Sequence, residues 1–194
     1  MSKISTFILL AILVYYLDAQ ELKFDSTMTT EIELIKKIKR KNDYKNWKIV
    51  TSYDSVIYDT GKRFTIPKDS KSEYFTLTTK QSSTFSSSSS CYIIVQENDN
   101  FKEIRNEKSL IEFIGEIDNI HEAILILYLK GFSYDYNHPS SYSKFKDGYR
   151  FKTTKFHYCP NKSEEKIITT DNKGITEIKS NGFYKVTDDC FSIE

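Results

Sequence analysis

The residues with most chemistry to offer in this 194-residue chain are three cysteines, Cys91, Cys159 and Cys190, and three histidines, His121, His138 and His157. Three cysteines permit three alternative single bridges with one thiol left over. Cys159 and Cys190 are the favoured pair, because each ends a strand-like run and the segment between them reads as a compact meander. Cys91 is then the spare; the competing reading is that all three are buried free thiols. As a nucleophile Cys91 would need a histidine base and an orienting carboxylate. Instead it opens an apolar strand, Cys91-Tyr92-Ile93-Ile94-Val95, with no catalytic cysteine signature around it.

The histidines give no local motif. His121-Glu122 is half of a zinc-binding helix pattern, but the second histidine would have to stand at position 125, which is Leu125. His157, two residues before Cys159, has no cluster of further ligands, so neither a metal nor a cofactor is expected. The carboxylate pairs Glu164-Glu165 and Asp188-Asp189 are adjacent, and on a strand they point to opposite faces and cannot flank one bond. There is no nucleophile elbow and no phosphate-binding glycine loop. No catalytic residue is assigned, and the protein reads as non-catalytic rather than an enzyme. The best recognition lead is the tyrosine-rich band from Tyr128 to Tyr158, within which Tyr136, His138 and Tyr142 surround Pro139 and form the candidate binding set.

These groups need a scaffold and a compartment. Lys3, an unbroken apolar run over residues 7–17, and Asp18-Ala19 before Gln20 read as a secretory signal over residues 1–19, cleaved after Ala19 or else kept as an anchor. The apolar run is about half of what a spanning helix needs, so no permanent membrane helix is expected. Export to the periplasm or outside the cell places the cysteines where disulfides persist. A net charge of +1 gives no global electrostatic reason to expect nucleic acid or an anionic membrane as partner.

One domain over residues 20–194 is expected, with a solvated serine-rich loop at 82–90. Ile32, Ile35 and Ile38 give a short helix one apolar stripe. Residues 47–58 suggest one or two strands with Gly61 at their turn, and residues 74–79 and 91–96 suggest further strands. Ser109-Leu110-Ile111-Glu112 has capping-box spacing, and Asn119-Ile120-His121-Glu122 repeats that logic ahead of a helix that is apolar almost all round and stops at Lys130-Gly131. Phe132, Tyr134 and Tyr136 alternate as a strand. The stretch from Gly148 to Cys159 needs a bulge or two buried faces; Asp171-Asn172-Lys173-Gly174 is a hairpin signal and Asn181-Gly182 a further turn. The fold class is therefore α+β: a mainly antiparallel sheet with two or three helices packed on one face and a C-terminal β-meander. The expected function is an exported binding or cell-envelope interaction protein whose partner is an unidentified protein or carbohydrate. The alternative is an exported hydrolase with a dispersed His/carboxylate acid-base site built on His138 or His157.

Overall fold

A computed structural model describes residues 22–23, 31–39, 46–51, 55–61, 64–66, 91–97, 100–105, 107–135, 137–188 and 190. The signal segment, the strand expected at residues 74–79, the serine-rich loop at 82–90 and Tyr136 lie outside the described residues. Among the described residues the chain is mainly β with three helices. The order is β1 (Leu22–Lys23), α1 (Glu31–Lys36), β2 (Asn46–Thr51), β3 (Val56–Thr60), β4 (Cys91–Glu97), β5 (Asn100–Ile104), α2 (Glu107–Ile114), α3 (Ile120–Leu129), β6 (Ser141–Phe145), β7 (Gly148–Tyr158), β8 (Asn161–Asp171) and β9 (Gly174–Val186).

The mainly antiparallel sheet of the sequence reading is in fact two sheets, ordered β3-β2-β4-β5 and β1-β6-β7-β8-β9, with every pairing antiparallel. The four-stranded sheet buries apolar side chains on both faces: Tyr92, Ile93, Ile94 and Val95 run through β4 without a polar alternate, and the one buried cation of β2, Lys48, has its Nζ 3.4 Å from Asp59 Oδ2. Trp47 and Ile49 stand opposite Val95 and Ile93, while Val50 stands opposite Tyr92 on the other side. The first set joins one large core with Leu34 and Ile35 of α1, Leu110 and Phe113 of α2, residues 123–127 of α3, and Tyr149, Phe151 and Ile168 of the five-stranded sheet. Val50, Tyr92 and Ile94 form a smaller cluster against Phe64 and Ile66.

Local chemistry explains the helix ends. Asn119 caps α3 by accepting from His121 N at 2.9 Å and Glu122 N at 3.1 Å. At the other end Gly131, at φ 76°, lets Phe132 N reach Leu127 O at 3.0 Å and Gly131 N reach Tyr128 O at 2.9 Å, closing the last turn. Glu122 does not complete a capping box. It is fully buried and accepts from Lys39 N at 2.7 Å and Asp118 N at 3.0 Å, tying the chain after α1 to the start of α3. Burial pushes its carboxyl up, against the two backbone hydrogen bonds. Ser109 is not a cap either: α2 begins at Glu107, and the Ser109 hydroxyl accepts from Arg105 N at 3.2 Å.

Three other expectations are corrected. Gly61 follows β3 instead of joining β2 to β3. Phe132 to Tyr134 form no strand; Ser133 makes an isolated bridge to Thr154, taking over the edge of β7 beyond Lys152, opposite which β6 begins at Ser141. Asn181-Gly182 is no turn but lies inside the 13-residue β9, where Gly182 at φ 100° absorbs a bulge. The hairpin at residues 171–174 is present, with Asp171 Oδ1 accepting from Lys173 N at 2.7 Å and Gly174 N at 3.1 Å. β7 runs in register with β8 along its whole length without a bulge. β6 to β9 thus form the expected C-terminal meander.

Candidate functional site

The end of the five-stranded sheet away from the core carries two carboxylates that the fold buries without neutralising, Glu164 and Glu165 on β8, each 6% exposed. Successive strand residues face opposite sides. Each glutamate therefore collects its own histidine.

On the Glu165 side, Thr154 of β7 lies directly opposite. Glu165 Oε2 meets His138 Nε2 at 2.5 Å and Lys152 Nζ at 3.1 Å, and Oε1 accepts from Asn181 Nδ2. Burial works against the Glu165 charge, but the donors Asn181, His138 and Lys152 outweigh it and hold the carboxyl below its usual range. His138 is delivered by a turn in which Asp135 Oδ1 accepts from Asn137 N at 2.9 Å and Asp135 O accepts from His138 N at 3.2 Å. Its ring lies flat on Tyr184, with centroids 3.7 Å apart and planes within 7°. The Tyr184 hydroxyl donates to Asp135 Oδ2 at 2.8 Å and so accepts from Thr154 Oγ1 at 2.9 Å. Burial, reinforced by Asp135, pushes Tyr184 up to about 12, so it stays a donor at neutral pH.

On the opposite side Glu164 Oε2 meets His157 Nε2 at 3.0 Å, and Oε1 meets Lys166 Nζ at 2.6 Å and Ser180 Oγ at 2.5 Å. Burial again opposes its charge, and hydrogen bonds from Lys166, Ser180 and His157 bring its pKa down to about 2. The His157 ring packs 5.5 Å from Phe183, which is 52% exposed and has Lys162 Nζ 5.4 Å from its centroid.

Bulges in β9 complete the Glu165 cluster. Its pairing with β8 skips Thr176, Asn181 and Tyr184. Two of these extra residues, Asn181 and Tyr184, are the ones that turn toward Glu165 and Thr154. The disulfide between Cys159 and Cys190 ties the chain beyond β9 to the β7–β8 turn at this same end of the sheet. Among the described residues no group of three or more His, Cys, Asp or Glu side chains is placed to hold a metal ion.

Of the candidate set, His138 stands in the Glu165 cluster. Tyr142 is elsewhere: it lies opposite Phe151 on β7 and packs at the rim of the core, 6.5 Å from the Tyr149 ring. Glu165, Lys152, Asp135, Asn181 and Tyr184 were not singled out by sequence as a group. Strand parity was the available signal for Lys152, Thr154 and Glu165; none existed for Asn181 and Tyr184, whose reach depends on the bulges. No family model, curated protein or solved structure matches the chain.

Proposed function

We propose that this chain is an exported, non-catalytic binding protein whose recognition surface is the His138–Tyr184 stack with Lys152 and Asn181 at its border, and whose partner is a carbohydrate. The stack itself carries this reading. Its two rings are held by buried Glu165 and by Asp135, so an aromatic surface is presented with little rotamer freedom left to lose on binding. Sugars are recognised by apolar contact with rings and by hydrogen bonds from flanking polar groups, and amine and amide donors stand at this edge. Export is supported by the apolar segment over residues 7–17 and by the Cys159–Cys190 bridge. No helix among the described residues is long and apolar enough to cross a membrane.

The test is titration of the purified chain with a panel of soluble oligosaccharides, followed by backbone amide shifts. Shifts centred on residues 135–138, 152 and 181–184, with affinity lost in His138→Ala and Asn181→Ala, support the reading. Binding that maps elsewhere, or that ignores both substitutions, refutes it; binding at this surface only to a protein changes the partner class. The second reading, an exported hydrolase, has one observation in its favour: Glu165 orients the imidazole of His138 as a carboxylate orients a general base. Turnover of chromogenic ester or glycoside substrates that disappears in His138→Ala would establish it in place of the first.

A further inference from the structure

β9 closes the five-stranded sheet, and among the described residues no strand lies along its outer side. A long exposed edge is a template for pairing. Its bulges limit where that can happen: the skipped residues Thr176 and Asn181 twist the strand locally, and between them residues 177–180 form a regular stretch, all exposed. Ile178 stands directly opposite Ile168 and shares its face. Ile168 is completely buried and Ile178 is 49% exposed, so the apolar layer of the sheet runs to this edge and stops in water. On the other face Lys179 Nζ lies 2.8 Å from Glu177 Oε1.

We infer that residues 177–180 are a self-association edge, at which two copies of the chain pair β9 with β9, antiparallel about a twofold axis at Ile178. A twofold interface must be self-complementary, and this stretch is so in one register. An axis perpendicular to the sheet keeps every residue on its own face. A residue can therefore oppose only residues of its own parity, and the axis must pass through a residue rather than between two. Centred on Ile178, Glu177 of each copy faces Lys179 of the other, and the two Ile178 side chains meet and cover each other. Centred one residue earlier, Glu177 would face Glu177; one residue later, Lys179 would face Lys179. Like charges directly opposite are destabilising, so the charge pattern selects the Ile178 register over both neighbours. In that register the four charges alternate in sign, and each keeps its partner within its own strand.

Sedimentation equilibrium of the purified chain over a range of concentrations tests this. The expected result is a concentration-dependent dimer that Glu177→Lys weakens at least about tenfold, because both cross-strand pairs become repulsive. The swapped variant, Glu177→Lys with Lys179→Glu, should return to within about twofold of the parent, since the alternation is restored. Circular dichroism of each variant confirms that these exposed substitutions leave the fold intact. A chain that stays monomeric up to about 1 mM overturns the proposal. So does a dimer that ignores the single substitution, which would place the association elsewhere on the molecule, or one that the swap fails to rescue, which would refute the pairing of Glu177 with Lys179 across the axis.

Discussion

Replacing Glu164 with glutamine removes the charge on which one end of the C-terminal sheet is organised. Its carboxylate accepts from Lys166 at 2.6 Å, Ser180 at 2.5 Å and His157 at 3.0 Å. Set against an ordinary value of 4.5, a pKa of about 2 corresponds to about 3 kcal/mol of preference for the ionised form at 1.36 kcal/mol per pH unit. Two of the donors, Ser180 on the edge strand and His157, are open to water, which screens them, so about 1–2 kcal/mol of this should appear as stability. The sign follows from the direction. A carboxyl whose folded pKa lies below its unfolded one contributes fully above pH 4.5, and the contribution is lost as pH falls from 4.5 toward 2. Urea unfolding followed by Trp47 fluorescence, with the disulfide intact, should therefore show Glu164→Gln less stable than the parent by about 1–2 kcal/mol at about pH 7. The deficit should shrink to about half by about pH 3. A deficit that stays constant over this range would mean that the loss is one of packing, and the electrostatic account would be wrong.

Other perturbations probe the scaffold. Asn119→Ala leaves the N–H groups of His121 and Glu122 without their side-chain acceptor and should cost about 1 kcal/mol in the same unfolding assay. Gly148→Ala places a methyl group 1.9 Å from the Thr170 carbonyl oxygen. Since that atom is backbone in the adjoining strand, the hairpin must shift and the loss should be roughly 2–4 kcal/mol, read as a drop in melting temperature. Removing the bridge in a Cys159→Ala, Cys190→Ala double variant frees a 31-residue separation and should cost about 3–4 kcal/mol in the chain-entropy model, measured against the oxidised parent. A loss below about 1 kcal/mol would show that the β8–β9 hairpin already holds these ends together.

Much of the framework was legible because it depends on neighbours in sequence. Asn119 and Gly131 bracket α3 through hydrogen bonds spanning two to five residues. Asp171 builds its own turn, and the unbroken apolar run of α3 announces burial on every side. The cysteine pairing followed from the compactness of the strands between Cys159 and Cys190. Failures came where a local signal admits two uses. Ser109-Leu110-Ile111-Glu112 has cap spacing, yet α2 starts earlier and the serine serves Arg105 instead. Asn181-Gly182 offers a left-handed glycine, which a turn and a bulge use equally well.

By itself the sequence determined that the chain is mixed α and β, where α3 begins and ends, that the last strands follow one another as a meander, and that Glu164 and Glu165 face apart. Each of these rests on periodicity or on short-range hydrogen bonding. Only the tertiary structure decided that the strands divide into two sheets sharing one core, and that His138 and His157 each find a buried glutamate on opposite faces of β8. The candidate site joins Asp135, Lys152, Glu165 and Tyr184, residues far apart in the chain. Their meeting depends on the register of β7, β8 and β9 and on bulges at Asn181 and Tyr184, and a shift of one residue would send those side chains to the other face.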